Sequence, residues 1–132
     1  MLKKLILKTD RKVDFVDISE KIKNVVRESK VEKGTVLIFI PHTTAAVTIN
    51  ENADIDVQKD IVKEINKIVP FEDNYNHIEG NSAAHIKASL LGNEEIVIIE
   101  NNNLVLGTWQ GIYFCEFDGP RTRKFYIKIL EG

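Results

Sequence analysis

The last third of the chain is a succession of β-strand patterns, and this feature limits the possible folds more than any other. The stretches "EIVIIE", "GIYFCEF" and "KFYIKIL" are rich in β-branched and aromatic residues, and the turn-forming "NNN" and "DGP" separate them. Two further strands, "TVLIFI" and "AVTIN", are predicted in the middle of the chain, and residues 2–8 and 12–17 predict a strand pair near its start. The sequence therefore predicts six or seven strands.

Only two segments have the spacing of amphipathic helices. "DISEKIKNVVRESK" follows Asp17 or Ser19 as its N-cap, and "DIDVQKDIVKEINKIVP" begins at the candidate N-cap Asp54 and stops at Pro70. The predicted buried stripe of the second helix consists of Ile61, Ile65, Ile68 and Val69. Residues 71–85 have little periodicity and predict a long loop, which is often functional in a compact domain.

The order of these elements predicts the fold class. Strands dominate and do not alternate with helices, so parallel βαβ units are not expected. We expect an α+β fold, a largely antiparallel β-sandwich or flattened barrel with two helices packed on it. The length of 132 residues fits a single domain over residues 1–132.

Composition excludes several function classes. The 18 basic and 20 acidic residues are well mixed, and a net charge of −2 argues against binding to nucleic acid or to an anionic membrane. No apolar run approaches the ~20 residues of a membrane span, and no signal-peptide pattern is expected at the start. The single cysteine, Cys115, cannot form an internal disulfide and fits a reducing compartment, so a cytoplasmic location is expected. Its position in a strand indicates a packing role.

All three histidines lie in motif-like surroundings. His42 stands in "PHTTAAVTINENAD", His77 in "NYNHIEGN" and His85 in "NSAAHIKASLLG". Together they could bind a divalent metal, zinc or magnesium, with an open position for water, although their spacing matches no standard zinc pattern. General acid–base catalysis is a second interpretation, since the pKa of histidine lies near ~6.5. A hydrogen-bonded structural role is the third.

The stretch "LGTWQGIYFCEFDGPR" has unusual ends for a strand. Gly107 and Gly111 bracket Thr108, Trp109 and Gln110, and glycine at the start of a strand marks a bulge or a close approach by backbone or ligand. Trp109 could therefore line a ligand pocket, or it could belong to the core.

The other end of that stretch carries charge. Arg121 follows a turn that begins at Asp118, and Arg123 lies on the same face of the next strand. An arginine at such a turn can bind phosphate, or it can form a salt bridge with Asp118 or Glu116.

Three segments in this order, "HTTAAVTINENAD", "EGNSAAHIKASLLG" and "LVLGTWQGIYFCEFDGPR", closely resemble the YjbQ family, whose members are often labelled secondary thiamine-phosphate synthase. The resemblance extends from about residue 10 to the end of the chain. It implies a β-sandwich-like α+β domain that forms a homotrimer with sites at or near the subunit interfaces. The implied catalytic residues are His42, His85, Glu51 and Asp54; the implied substrate-binding residues are Thr43, Thr44, Asn50, Asn81, Thr108, Trp109, Gln110, Asp118 and Arg121; the candidate metal ligands are His42, His77 and His85.

The family label implies a weak reaction that joins a pyrimidine diphosphate to a thiazole phosphate and releases pyrophosphate. The main thiamine-phosphate synthases are (β/α)₈ barrels of at least ~200 residues, so this shorter chain cannot share their fold. We expect a metal or a His/Arg cluster to stabilise the leaving group and Trp109 to stack on a heterocycle, in a pocket floored by histidines. A trimeric module that binds a small phosphorylated or anionic metabolite without turnover is one alternative, and a metal-dependent phosphoester hydrolase is another.

Overall fold

The computed structural model describes residues 1–132. Eight strands and three helices follow one another along the chain: β1 (Leu2–Lys8), β2 (Asp14–Asp17), α1 (Ser19–Ser29), β3 (Lys33–Phe39), β4 (Ala45–Glu51), α2 (Ile55–Ile68), α3 (Ser82–Leu91), β5 (Glu94–Glu100), β6 (Asn103–Leu104), β7 (Gln110–Glu116) and β8 (Thr122–Glu131). A five-stranded sheet has the order β1-β8-β3-β5-β6, and a three-stranded sheet has the order β2-β7-β4. Every strand pair is antiparallel.

The main core lies between the two sheets. Alternation along the strands directs Val36 and Ile38 of β3 and Phe125 of β8 to the inner face of the five-stranded sheet. They pack in one cluster with Phe114 of β7 and with α1, which contributes Ile22. This arrangement confirms the predicted α+β fold with a sandwich of largely antiparallel sheets.

A second, smaller cluster covers the other face of the three-stranded sheet. Phe15, Cys115 and Phe117 pack there against Ile65 of α2 and Ala84 of α3. Cys115 is fully buried, which confirms its predicted packing role.

The third helix, α3, is missing from the sequence prediction, which placed part of it in a loop. Its segment "SAAHIKASLL" lacks a stripe of large apolar residues, because its buried face consists of three alanines and Lys87. The Lys87 Nζ donates to Asn66 Oδ1 at 2.6 Å and lies 3.4 Å from the centroid of the Phe71 ring. A buried lysine that has these two partners breaks the apolar periodicity on which the prediction depends.

The N-caps of α1 and α2 and the buried face of α2 agree only in part with the sequence predictions. Asp54 is the N-cap of α2, since its side chain accepts a hydrogen bond from Asp56 N at 2.9 Å. The N-cap of α1 is Ile18, so the predicted choice between Asp17 and Ser19 is wrong by one position. Asp17 Oδ1 nevertheless accepts a hydrogen bond from Ser19 N at 2.9 Å, one residue before the cap. In α2, however, Ile68 is 71% exposed, so its predicted burial is wrong. Of the four residues in the predicted buried stripe, only Ile65 and Val69 are buried. None of the three helices is long and apolar enough to span a bilayer.

Candidate functional site

A polar cavity of about 570 Å³ lies where three connecting segments meet, and we call it the polar pocket. It is lined by Pro41, His42, Thr43, Thr44, Glu79, Asn81, His85, Asp118, Arg121 and Arg123. No large apolar side chain lines it. A second cavity of about 510 Å³ adjoins it, since His42, Thr43 and His85 line both.

The fold explains why these residues meet. The β3–β4 connection, which carries His42, leaves the five-stranded sheet and enters the three-stranded one. The β7–β8 turn, which carries Asp118, makes the same crossing in the opposite direction. Asn81 precedes α3, which packs on β4, and His85 lies in the first turns of that helix. The pocket therefore forms where the chain crosses between sheets.

His42 is held by the backbone of the neighbouring strand. Its Nε2 atom lies 3.1 Å from both the N and the O of Lys124. Burial, and then the positive charge of Arg123, lower the pKa of His42 below 6.5, so the neutral ring prevails at pH 7. When the neutral ring accepts the Lys124 N–H at Nε2, its own proton lies on Nδ1. Nδ1 is then the ring nitrogen that can donate to a ligand.

A buried ion pair supports the pocket from below. Arg123 has a side chain only 3% exposed, and its Nε donates to Glu116 Oε1 at 2.8 Å while its Nη2 donates to Glu116 Oε2. The same Nη2 donates to Thr44 Oγ1 at 2.8 Å, and Thr9 Oγ1 donates to Glu116 Oε1 at 2.9 Å. Burial alone would raise the pKa of Glu116, but the hydrogen bonds, led by that from Arg123, outweigh it and lower the pKa.

Arg121 and Asp118 form a second, more exposed pair at the rim. Arg121 Nη2 donates to Asp118 Oδ2 at 3.0 Å, and Arg121 Nε donates to the Asp118 carbonyl at 2.9 Å. This is the salt bridge considered in the sequence analysis. Asn81 Nδ2 also donates to Asp118 Oδ2, at 3.0 Å, which leaves the buried Asn81 Oδ1 without a hydrogen-bond partner.

The other two histidines neighbour each other. The rings of His77 and His85 meet edge to face with centroids 5.6 Å apart, and His77 Nε2 lies 3.8 Å from Glu79 Oε2. His77 does not line the polar pocket. No group of three or more His, Cys, Asp or Glu side chains is arranged to hold a metal ion, so His42, His77 and His85 form no ligand set within one chain.

The remaining predicted site residues lie at the far end of the three-stranded sheet. Glu51 pairs with Gln110 at the end of the β4–β7 ladder, whereas Ala45 pairs with Glu116 near the polar pocket. Six residue steps at about 3.4 Å separate these ends by ~20 Å. The residues at the far end are Asn50, Glu51, Asp54, Thr108, Trp109 and Gln110. The single pocket that unites Trp109 and the histidines does not exist within one chain.

Close packing at the far end of the three-stranded sheet explains why residue 111 is a glycine. A Cβ on Gly111 would lie 2.3 Å from Asn52 Nδ2, so only glycine lets Asn52 pack there, and Asn52 Nδ2 in turn donates to Asp17 Oδ2 at 3.0 Å. Trp109 is 62% exposed, so the interpretation as a core residue is wrong. Asp54 acts as a helix cap, and the Asn50 side chain accepts from Glu51 N at 2.8 Å.

Three residues that line the pocket are absent from the predicted site, and they are Pro41, Glu79 and Arg123. The sequence does contain a signal for Arg123, because strand alternation places it on the same face as the predicted site residue Arg121. Its buried partner Glu116 could not be distinguished from an exposed strand residue, because that requires knowing that both faces of β7 are covered.

Comparison with known proteins agrees with the fold and the motifs. The family described as UPF0047 protein YjbQ-like matches residues 3–132. The UPF0047 protein YugU of Bacillus subtilis (strain 168) is 50% identical over 131 residues, which cover 98% of this chain and 99% of the relative. The UPF0047 protein MJ1081 of Methanocaldococcus jannaschii is 50% identical over 130 residues, which cover 98% of this chain and 94% of that relative.

Solved structures give the same result. The crystal structure of an uncharacterized conserved protein of the YjbQ/UPF0047 family from Clostridium acetobutylicum superposes with a TM-score of 0.95 at 54% identity, over 97% of this chain and 99% of that chain. A YbjQ-like protein of unknown function from Sulfolobus solfataricus P2 superposes with a TM-score of 0.96 at 32% identity, over 100% of this chain and 97% of that chain. Sequence, motifs and fold therefore agree that this chain belongs to the YjbQ/UPF0047 family.

Proposed function

We propose that the polar pocket binds the phosphate group of a small metabolite, and that the chain acts as a slow transferase on such metabolites. The reaction implied by the family resemblance is the joining of a pyrimidine diphosphate to a thiazole phosphate with loss of pyrophosphate. The observation that carries the proposal is the lining of the pocket, in which two guanidinium groups, two imidazoles and two threonines surround a cavity without large apolar side chains.

The donors in this pocket suit a phosphate. Guanidinium groups bind phosphate oxygens through charge-assisted hydrogen bonds, and Arg121 and Arg123 both line the cavity. The N-terminus of α3 begins beside them at Asn81, and the free backbone N–H groups of a first helical turn favour an anion. Recognition of an apolar ligand is not supported by this lining.

The histidines are positioned for proton transfer. His42 is anchored through Nε2, so Nδ1 remains free for a ligand, and His85 lines the same cavity from α3. Burial and Arg123 lower the pKa of His42 and keep it neutral at pH 7. With its proton on Nε2, donated to the Lys124 carbonyl, His42 can accept a ligand proton at Nδ1, and in the other tautomer it donates a proton from Nδ1. We propose His42 and His85 as the acid–base pair.

The test is an activity assay with both phosphorylated substrates. Parent protein should form thiamine phosphate and pyrophosphate, whereas His42→Ala and Arg121→Ala should lose the activity and keep the parent circular dichroism spectrum. Retained activity in both variants would refute the proposed site. Arg11→Ala is the matched control, because Arg11 is a surface arginine paired with Asp14 outside the pocket.

A binding module without turnover is the second candidate, because the same donors serve capture and catalysis. The two differ in their pH dependence. An enzyme should show a rate profile with an inflection at a histidine pKa, whereas a binder should show only a pH-dependent affinity. Binding without product formation at any pH would favour the module.

We further propose a homotrimer, which the family resemblance implies. A single chain leaves Leu2, Ile6, Phe39, Ile96, Ile98 and Leu130 exposed on the outer face of the five-stranded sheet. Exposed apolar patches of this kind mark interaction surfaces. The variant Ile96→Glu/Ile98→Glu should sediment as a monomer where the parent sediments as a trimer, and an unchanged mass would place the interface elsewhere.

Assembly would also give Trp109 a role in the site. Because Trp109 lies about 20 Å from the polar pocket in its own chain, by the strand rise, only a neighbouring subunit could bring it to the ligand. Mixed trimers of His42→Ala and Trp109→Ala subunits should then recover part of the activity that each variant lacks. No recovery after demonstrated subunit exchange would refute a shared site.

Two expectations stay predictions. A divalent metal, zinc or magnesium, would be detected by elemental analysis of protein purified without a metal-affinity tag, and its loss from a triple variant of His42, His77 and His85 would identify the ligands. A cytoplasmic location is proposed from the single free, buried Cys115.

A further inference from the structure

Arg123 is the residue of the polar pocket whose position is most firmly determined. It is 4% exposed, yet it lines the cavity. Its Nε and Nη2 atoms are engaged by Glu116 and Thr44, and Glu116 is held in turn by Thr9. A side chain with this many buried partners has one available orientation.

One edge of this guanidinium is free. No protein atom accepts a hydrogen bond from Arg123 Nη1, and the only fully buried side-chain polar atom without a partner is Asn81 Oδ1. Nη1 therefore has no protein partner and is not fully buried, and it belongs to a residue that lines the pocket. Arg121 has the same pattern, since its Nε and Nη2 are engaged by Asp118 and its Nη1 is free.

The carboxylates limit the charge that the pocket can accept. The two arginines contribute two positive charges, and Glu79 and Asp118 contribute two negative charges to the same lining. These four charges cancel, and Glu116 lies directly behind Arg123. The two free Nη1 groups suit the oxygens of one phosphate group. The second phosphate group of a diphosphate would find no further arginine or lysine in this lining.

We infer that Arg123 is a direct, prepositioned anion-binding residue of the pocket, and that the pocket recognises a monophosphate rather than a diphosphate group. This inference rests on the proposed function, which requires that the pocket bind phosphate. For the proposed reaction, the thiazole phosphate would occupy this pocket through its phosphate, and the diphosphate of the other substrate would be bound outside it.

Calorimetric titration with inorganic phosphate and with inorganic pyrophosphate, in buffer containing a metal chelator, tests both parts. Parent protein should bind phosphate at least as tightly as pyrophosphate. Arg123→Lys should weaken phosphate binding by roughly 10- to 100-fold, as expected for loss of a hydrogen bond to a charged group. The Arg11→Met control should bind as the parent does.

Folding must be separated from binding, because Arg123 also neutralises Glu116. The double variant Arg123→Met/Glu116→Leu removes both buried charges, and circular dichroism with urea unfolding will show whether it folds. If either folded Arg123 variant binds phosphate as the parent does, or if the parent binds pyrophosphate more tightly than phosphate, the inference is wrong while the proposed function stands. Absence of binding to both anions in the parent would instead refute the proposed function.

Discussion

Replacement of Glu116 by leucine should destabilise the protein by about 3–5 kcal/mol, the cost of leaving a buried charge without its partner. Glu116 is fully buried and accepts hydrogen bonds from Thr9 Oγ1, Asp118 N and two nitrogen atoms of Arg123. Removal of the carboxylate leaves the Arg123 guanidinium, which is 3% exposed, with only Thr44 as acceptor. This loss is a large fraction of the 5–15 kcal/mol typical of a folded domain.

A double-mutant cycle isolates the ion pair from the change in packing. Glu116→Leu and Arg123→Met should each be strongly destabilising, but the double variant should lose at least about 1 kcal/mol less than their sum, because it leaves no unpaired charge. Urea unfolding followed by circular dichroism at pH 7 and constant protein concentration gives the free energies of unfolding. Additive single effects, or a cost below about 1 kcal/mol for Glu116→Leu, would refute the reasoning.

The same carboxylate predicts acid sensitivity. Hydrogen bonds from Arg123, Asp118 N and Thr9 outweigh burial and hold the pKa of Glu116 below 4.5 in the folded protein. A lowered folded-state pKa gives stability that is complete above 4.5 and is lost as the pH falls through the folded-state value. The free energy of unfolding of the parent should therefore decline at acid pH more steeply than that of the Glu116→Leu/Arg123→Met variant, and parallel curves would contradict this.

Three further predictions concern packing and burial. Gly34→Ala should destabilise by about 1–3 kcal/mol, because its Cβ would lie 2.1 Å from the carbonyl oxygen of Leu130 in the neighbouring strand, and an unchanged urea midpoint would count against this contact. Burial, assisted by Lys12, lowers the pKa of Lys87 from 10.5 to about 8, so the parent should gain stability between pH 8 and 10.5 relative to Lys87→Met, and a constant difference across that window would disprove it. Burial raises the pKa of Cys115, so Ellman's reagent should react with it only after urea unfolding, and rapid reaction in native buffer would contradict the structure.

The local patterns of the sequence determined much of the framework. Alternation and apolar runs placed seven of the eight strands, because side chains of a half-buried strand must alternate between core and solvent. The two-residue strand β6 was missed, because its Asn103 belongs to the "NNN" segment that was predicted as a turn. The N-cap at Asp54 was readable for a similar reason, since a cap satisfies backbone groups within three residues of itself. The histidine and arginine of the candidate site, His42 and Arg121, were also identified from their local motifs.

Only the tertiary structure decided what lies together. Helix α3 was not predicted, because its buried face consists of alanines and Lys87 and not of large apolar residues. The partners that make the burial of Lys87 possible, Asn66 and Phe71, come from other segments. The burial of Arg123 and Glu116 depends on two layers covering β7, which no local window contains.

The tertiary structure also decided that the predicted site residues fall into two separate groups. Motif order suggested one pocket containing His42 and Trp109, but β4 and β7 are antiparallel neighbours whose opposite ends carry these residues. The two ends of a seven-residue strand lie about 20 Å apart. Residues that the motifs grouped into one site are therefore far apart within one chain. Sequence therefore determined which chemical groups are available, and chain crossing between the two sheets decided which of them share a cavity.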